Sequence, residues 1–129
     1  MRINFDSLVP VYIQIAEAIE DDIISGRLDE GSPAYSQLIL ARELSVNPAT
    51  AAKGINVLVA KGILEKQRGA SMIVAYGARE RLIGERRDKN FKGLIMAVVD
   101  EARKLGLTEN DVVEEIRKQF GSWELGVRN

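Results

Sequence analysis

Apolar residues recur at helical spacing near the start of the chain. They occupy positions 11, 15, 18, 19 and 23, close to the 3.6-residue period of an amphipathic helix. The pattern predicts a helix that starts at Val9-Pro10 and stops at Ser25-Gly26, with Tyr12 as an aromatic packing residue. The residues before it, Met1 to Leu8, are expected to be extended or loosely ordered. Residues 28–33 predict a connector because they are rich in turn formers.

Two shorter periodic runs follow, Ser36–Leu44 and Thr50–Ala60, joined by Ser45-Val46-Asn47-Pro48. Asparagine is a favoured N-cap because its side-chain oxygen accepts a hydrogen bond from an amide of the first turn. Proline suits the first helical position, where its missing N–H would have no helical partner. The second run stops at Lys61-Gly62, where glycine commonly takes the left-handed conformation. The sequence therefore predicts two short helices joined by a tight turn.

A basic, glycine-containing turn, Arg68-Gly69-Ala70, is flanked by two predicted strand segments, Ile63–Gln67 and Ser71–Ala75. Glycine permits the positive φ that hairpin turns require, and residues 72–74 are predicted core positions. Two helices with a tight turn, followed by a hairpin, predict a winged helix-turn-helix over residues 1–77. This arrangement presents its second helix to the DNA major groove.

The composition changes after Tyr76-Gly77. Charges of both signs are dense over residues 79–89, and pairs at helical spacing, such as Arg81 with Glu85, predict a solvated helical face. A strongly amphipathic helix follows and ends at Gly106. The run Thr108–Asp111 resembles a capping box with Asp in place of Glu. It predicts a last helix that ends at Gly121, before a tail.

Residues 78–129 contain too few apolar positions to form a core of their own. Amphipathic helices of this size bury their stripes against a partner, and a second copy related by twofold symmetry is the commonest one. Packing back on the N-terminal domain is the intramolecular alternative. The sequence predicts a C-terminal helical dimerisation segment, with an interface made of Phe91, Leu94, Ile95, Val98, Val99, Ala102, Leu105, Val112, Ile116 and Phe120.

The candidate DNA contacts lie mainly on the second short helix, away from its apolar stripe of Ala51, Ile55 and Leu58. An ordinary helical hairpin with a solvated face would have the same spacing, and the wing tip would then be a solvated turn. The candidate contacts, including those expected on the DNA backbone and at the wing, are Tyr35, Ser36, Gln37, Arg42, Asn47, Pro48, Ala49, Thr50, Lys53, Asn56, Lys66, Arg68 and Gly69.

Several short motifs follow one another in order over about the first three-fifths of the chain. They are Pro10–Gln14, Gly26–Leu28, Gly31, Leu40-Ala41, Leu44–Thr50, Leu58, Lys61–Leu64 and Arg68-Gly69. This ordered set resembles the GntR family of bacterial transcription regulators, and most closely its small YtrA subfamily. The resemblance implies an N-terminal winged helix, operator binding by a dimer, and repression of a neighbouring operon, often one that encodes a transporter. Larger relatives carry a separate effector domain for which this chain has no room, so a small-molecule effector is left open.

The chain departs from the family pattern at one position. Family members usually carry Leu-Pro-Ser-x-Arg where this sequence has Ala34-Tyr35-Ser36-Gln37-Leu38. The serine matches, but leucine replaces the arginine that the resemblance would assign to a DNA phosphate. The resemblance therefore leaves the phosphate contact at this corner to Tyr35, Ser36 or Gln37.

The formal net charge of −1 argues mildly against DNA binding, since many nucleic-acid-binding domains are strongly basic. The distribution of charge reduces that objection. Residues 1–35 contain two basic and seven acidic residues, whereas residues 36–77 contain five basic and two acidic ones. The cations thus collect on the segment proposed to meet phosphate, and we expect weak, strongly salt-dependent nonspecific binding.

The chain of 129 residues contains neither cysteine nor histidine. A disulfide framework, a thiolate metal site and the commonest general base are therefore excluded, and no metal or cofactor is predicted. No stretch approaches the roughly 20 apolar residues of a membrane span, and no signal peptide is recognised. These features predict a cytoplasmic protein.

Three classes of function are compatible with these features. The leading hypothesis is a homodimeric, sequence-specific repressor that binds a palindromic operator in double-stranded DNA. The alternative is a winged-helix adaptor that binds proteins and has lost DNA binding, favoured by Leu38 and the slight net acidity. An enzyme is disfavoured because no phosphate-binding loop or nucleophile motif is present. The predicted fold class is mainly α with a small β-hairpin wing.

Overall fold

The computed structural model describes residues 1–67 and 72–128. The helices are α1 (Val11–Ser25), α2 (Gln37–Leu44), α3 (Pro48–Ala60), α4 (Ala78–Glu85), α5 (Lys92–Leu105) and α6 (Glu109–Arg128), with a π-helical stretch at Arg86–Phe91. Two short strands, β1 (Leu64–Glu65) and β2 (Ile73–Val74), form an antiparallel sheet. The predicted fold class, mainly α with a small β-hairpin, is confirmed. Contacts divide the chain into unit 1, Met1–Glu85, and unit 2, Arg86–Asn129.

Unit 1 closes a hydrophobic core around the packing of α1 on α3. The predicted stripe of α3 is buried, and α1 contributes a matching stripe. Each stripe follows from the helical period. Apolar side chains from the four helices and the hairpin of unit 1 meet in one core, and their removal from water stabilises the fold. The buried side chains include Ile15, Ile19, Ile23, Leu40, Ala41, Ala51, Ile55, Leu58, Ile63, Leu64, Val74, Ala78 and Leu82.

The turn between α2 and α3 has the predicted local chemistry. Ser45 ends α2 in the left-handed conformation with a φ of 54°, and the Val46 amide donates to the carbonyl of Ala41. Asn47 caps α3 by accepting a hydrogen bond of 2.8 Å from the Ala49 amide, and Pro48 is the first helical residue. The predicted N-cap and first-position proline are confirmed.

The hairpin pairs Leu64 with Val74 and Glu65 with Ile73. The strands are shorter than the apolar segments that predicted them, and residues 31–34 add a third extended piece beside β2. In this piece the Ala34 amide donates to the Met72 carbonyl at 2.7 Å. The predicted tip, Arg68-Gly69-Ala70, lies outside the described residues.

The segment before α1 is attached to that helix by one side chain. The Gln14 amide group donates to the carbonyls of Asn4 and Val9 at 2.9 and 2.8 Å, and its oxygen accepts from the Asn4 amide at 2.8 Å. Residues 1–8 form no helix or strand, as the prediction of an extended or loosely ordered start requires, but these hydrogen bonds hold the segment to α1. A side chain ten residues away supplies the partners, which no local pattern reveals.

Helix α4 belongs to unit 1, whose contacts extend to Glu85. The domain boundary after Gly77 stays a prediction. Arg81 donates to the carbonyls of Lys61 and Gly62 at 2.6 and 3.5 Å, and Glu85 lies 3.6 Å from the Lys61 ammonium. These contacts replace the predicted pairing of Arg81 with Glu85. Arg81 binds carbonyl groups at the end of α3, which have no partner within the helix, and Glu85 lies near the Lys61 ammonium.

Unit 2 contains α5 and α6, joined by a short connection after Gly106. The capping box is confirmed, since the Asp111 amide donates to the Thr108 hydroxyl and the Asp111 carboxylate accepts from the Thr108 amide. The predicted end at Gly121 is wrong, because α6 continues to Arg128. Glycine within a helix costs only about 1 kcal/mol, and no proline follows to stop it.

No helix in the described part of the chain is long and apolar enough to cross a membrane.

Candidate nucleic-acid interface

The outer face of α3 carries three polar side chains, Thr50, Lys53 and Asn56, at successive three-residue steps. Lys53 and Asn56 are exposed and Thr50 is half-buried, whereas the apolar stripe on the other side of the helix lies in the core. Residues three apart are neighbours on a helix surface. The structure thus brings these three predicted contacts together on one solvent-facing surface.

The N-terminus of α3 is exposed over residues 47–49. The side-chain oxygen of Asn47 accepts the cap hydrogen bond from Ala49, and its amide nitrogen can donate to another molecule. Pro48 and Ala49 have no polar side-chain atoms, so their side chains could make only apolar contacts.

The start of α2 lies beside this helix end. Gln37 donates from its side-chain nitrogen to the Pro48 carbonyl at 3.2 Å, which ties the first turn of α2 to that of α3. Ser36 occupies the N-cap position of α2 without a capping hydrogen bond from its side chain, and Arg42 is exposed in the last turn. Leu38, at the position where the family carries arginine, is 64% exposed.

Tyr35 has a different environment from the other candidates. It packs against the core, and its hydroxyl donates to the Asp22 carboxylate on α1. Burial, and then the hydrogen bond and negative charge of Asp22, raise the pKa of Tyr35 to about 12. The Tyr35 hydroxyl therefore keeps its proton and donates its hydrogen bond to Asp22 on α1. The packed aromatic ring fixes the segment that leads into α2.

Lys61 lies in the basic segment, residues 36–77, but its positive charge is paired with carboxylates of unit 1. Its ammonium lies 2.7 Å from a carboxylate oxygen of Glu20, a buried residue of α1, and 3.6 Å from Glu85. Burial opposes the charge, but the hydrogen bond and charge of Glu20, together with Glu85, outweigh it and raise the pKa of Lys61. The cation of Lys61 is thus compensated within unit 1. Among the described residues of this segment, the basic side chains that face solvent are those of Arg42, Lys53 and Lys66.

The ammonium of Lys53 lies 4.1 Å from the centroid of the Tyr12 ring. This distance is within the range of a cation–π interaction. Tyr12 was predicted to be a packing residue, and it lies at the edge of the α3 face instead of deep in the core. Sequence spacing gives no sign of this pair, because the two residues belong to different helices.

The wing side of the surface is described only in part. Lys66 and Gln67 follow β1 and are exposed. The candidate contacts Arg68 and Gly69 lie outside the described residues. Within the described ranges, no group of three or more acidic residues is placed to hold a metal ion.

Eight of the ten predicted interface residues of unit 2 line an apolar groove between α5 and α6. Its volume is about 560 Å³. Leu94 borders a separate depression with Phe91, and Val99 faces the α5–α6 connection with Val113. The residues from the predicted interface that line the main groove are Phe91, Ile95, Val98, Ala102, Leu105, Val112, Ile116 and Phe120.

Most of these apolar side chains remain exposed within one chain. Leu94 and Leu105 are each 65% exposed and Phe120 is 62% exposed, whereas Ala102 is buried. Exposed apolar patches of this kind are found at protein–protein or membrane interaction sites and in ligand-binding grooves.

Two structural residues at the site are absent from the predicted set. Gly54 is buried where α3 crosses α1, and a Cβ atom there would lie 2.9 Å from the Tyr12 carbonyl oxygen. Glu20 is buried against Lys61. A glycine inside a helix is a known sign of close backbone approach, so Gly54 carried a usable signal, whereas Glu20 looked like one more solvated acid.

Comparisons with known proteins agree with this geometry. No protein-family model matches the chain. It is 29% identical over 114 residues to an uncharacterised HTH-type transcriptional regulator of Bacillus subtilis, YhcF, and the match covers 88% of this chain and 93% of YhcF. A GntR family transcriptional regulator from Listeria monocytogenes is 27% identical, with a TM-score of 0.71 over 88% of this chain and 98% of that one.

Two further solved structures bear on the subfamily and on DNA. YtrA from Sulfolobus acidocaldarius, a GntR-family transcription factor, is 25% identical, with a TM-score of 0.57 over 95% of this chain and 97% of that one. The DNA-binding domain of AraR in complex with operator ORE1 is 26% identical, with a TM-score of 0.51. That match covers 58% of this chain and 94% of the AraR domain.

Proposed function

We propose that the chain is a GntR-family DNA-binding transcriptional regulator and that it represses a neighbouring operon by binding a palindromic operator as a homodimer. The likeness to YtrA supports a place in that small subfamily. The observation that carries the proposal is the outer face of α3, where Thr50, Lys53 and Asn56 face solvent on a helix whose other side is held in the core.

Each candidate contact has a role that follows from its chemistry. The Asn56 carboxamide suits the paired acceptor and donor of adenine in the major groove, and Thr50 suits an adjacent base edge or phosphate. Lys53 supplies a cation and three N–H donors. Ser36, Gln37, Arg42 and Lys66 would then position the DNA backbone on either side of α3.

The dimer in this proposal forms through unit 2. The groove between α5 and α6 is lined by apolar side chains, and α5 and α6 of a second copy would supply a surface of the same chemistry. A twofold dimer presents two α3 helices to DNA, so the operator is expected to be an inverted repeat. Its half-sites should be separated by about one helical turn, or a multiple of it.

Selection of bound duplexes from a random-sequence pool, followed by footprinting on the DNA upstream of the protein's own gene, tests the proposal. We expect an inverted repeat to be enriched and protected, with protection that fades as salt is raised. Recovery of no preferred sequence, together with no salt-dependent binding, would overturn operator binding.

A pair of lysine variants makes this test specific to α3. Lys53→Ala should weaken binding, whereas Lys118→Ala removes another exposed cation, on α6, and should leave the selected sequence and affinity unchanged. Equal affinity of the two variants would remove α3 from the contact surface. Repression is tested separately by a reporter gene placed behind the recovered sequence, whose expression should rise when the protein is deleted.

The adaptor hypothesis is supported by one observation. Leu38 and Ile39 are 64% and 54% exposed at the start of α2, where a DNA-binding relative would present arginine. An adaptor would use this apolar pair to bind a protein, and it would have no salt-dependent affinity for any duplex. The random-sequence selection therefore separates the two functions.

A further inference from the structure

Lys53 and Tyr12 form a contact between the recognition surface and the first helix. The Lys53 ammonium lies 4.1 Å from the centre of the Tyr12 ring, and the lysine side chain is exposed while the tyrosine is half-buried. A cation over an aromatic face is attracted by the negative potential of the ring. The Lys53 ammonium thus contacts the Tyr12 ring on one side and is open to solvent on the other.

The close approach of α1 and α3 places these two residues together. Gly54, the residue after Lys53, packs where a Cβ atom would lie 2.9 Å from both the Tyr12 carbonyl oxygen and a methyl carbon of Ile15. Only a residue without a side chain permits this spacing. The backbone of Tyr12 therefore lies against α3, and its ring is beside the next side chain along that helix.

The start of α1 is itself fixed in place. The amides of Ile13 and Gln14 donate to the Pro10 carbonyl, and the Gln14 side chain binds the Asn4 and Val9 carbonyls. A tyrosine has two side-chain torsions, whereas lysine has four flexible carbon–carbon bonds. A ring on a fixed helix end thus restricts a side chain that would otherwise sample many conformations.

We infer that Tyr12 is a positioning residue for DNA binding: its ring holds the Lys53 ammonium at the α3 surface in the orientation used to meet an acceptor oxygen of DNA. This inference rests on the proposed function. The ring attracts the cation without accepting all of its N–H groups, so donors of the ammonium remain for phosphate or a base edge. Holding the side chain in place before binding lowers the entropy that is lost on binding.

Binding of the selected duplex to six full-length variants tests this inference. They are wild type, Tyr12→Phe and Tyr12→Leu, each with Lys53 and with Lys53→Met. Tyr12→Leu should weaken binding about two- to fivefold, the range of exposed cation–π contacts, and Tyr12→Phe should restore wild-type affinity because it retains the ring. With Lys53→Met, all three residues at position 12 should give equal affinity, since the coupled partner is absent.

A second readout works on the free protein. The nuclear resonances of the Lys53 ε-methylene protons should be displaced by the ring current in wild type and in Tyr12→Phe, and should return to ordinary values in Tyr12→Leu. Unchanged resonances across the three proteins would overturn the contact itself.

The outcomes separate this inference from the proposed function. A wild-type protein that binds no duplex overturns both. Wild-type binding with equal losses from Tyr12→Leu in the two Lys53 backgrounds overturns the positioning role alone, because the loss then reflects the fold of α1. Tighter binding by Tyr12→Leu also overturns it, since the ring would then be withholding the cation from DNA.

Discussion

Unit 1 and unit 2 are both built mainly from amphipathic helices, yet the apolar side chains are mostly buried in unit 1 and mostly exposed in unit 2. In unit 1, Ile15 and Leu58 have no exposed surface, because α1 and α3 approach closely and α2, α4 and the hairpin cover the remaining sides. In unit 2, Leu94 and Leu105 keep 65% of their surface in water. The apolar stripe of a helix therefore predicts which face of the helix will be buried. Whether that face is buried within a single chain depends on how many other elements pack against the helix.

The largest effect should come from a charge placed in the exposed stripe of unit 2. Val98→Asp puts a carboxylate in the groove between α5 and α6, and a dimer that covers this groove would have to bury the charge without a partner. Sedimentation equilibrium should show a monomer where wild type is a dimer. Lys104→Asp, on α5 but outside the groove, is the matched control and should leave the dimer intact. A Val98→Asp protein that remains a dimer would exclude the groove as the interface.

A core substitution in unit 1 should be next in size. Leu58→Ala leaves a cavity beside α1 and is expected to reduce the free energy of unfolding by about 2–5 kcal/mol. The loss should be the same at every protein concentration, because one chain closes this core. Leu105→Ala in unit 2 should instead lower stability by an amount that depends on concentration. Urea unfolding of both variants at two concentrations makes the comparison, and concentration dependence in Leu58→Ala would contradict it.

Alkaline pH should weaken unit 1 by a smaller amount. The folded-state pKa of Tyr35 is about 12 against an ordinary value of 10, so its contribution to stability is complete below pH 10 and is lost as pH rises through 12. Solvent screens this partly exposed group, and the loss should be about 1 kcal/mol. Lys61 acts in the same direction, because its folded-state pKa is also raised.

Tyr35→Phe identifies the tyrosine share of this alkaline loss. Its free energy of unfolding should fall less than that of wild type between pH 10 and pH 12, measured by urea unfolding. A slope equal to that of wild type would assign the whole effect to Lys61 and to the remaining groups.

The smallest expected effect distinguishes two exposed leucines. Leu38 and Leu94 are 64% and 65% exposed, but they lie on surfaces with different proposed partners. Leu38→Arg restores the cation of the family pattern, and it should tighten DNA binding about two- to fivefold and steepen the salt dependence by about one phosphate contact. Leu94→Arg should leave the salt dependence unchanged. Binding measured at several salt concentrations tests both, and no change for Leu38→Arg would place the start of α2 away from phosphate.

Local sequence rules predicted the features of this fold that depend on neighbours in the chain. Asn47 and Pro48 start α3, and Thr108 and Asp111 start α6, because capping needs only residues two or three positions apart. The stripes of α1 and α3 follow from the helical period in the same way. The helix end at Gly121 was missed because one glycine weakens a helix without stopping it.

Contacts between distant residues were beyond those rules. Gln14 binds Asn4, Glu20 binds Lys61, and Arg81 binds the end of α3, and each pair is made only when the elements have packed. At the candidate site, sequence spacing placed Thr50, Lys53 and Asn56 on one face. The Tyr12 ring beneath Lys53 depends on the crossing of α1 and α3, which sequence spacing does not define.

The contacts of α4 have a mechanical consequence for α3. Arg81 and Glu85 hold the carbonyls and the ammonium at the C-terminal end of the helix that carries the candidate DNA contacts. Glu85 is also the last residue of unit 1, so the chain leaves this unit at the far end of that helix. A force on the chain beyond Glu85 would therefore reach unit 1 beside the C-terminal end of α3, where Arg81 and Glu85 contact that end.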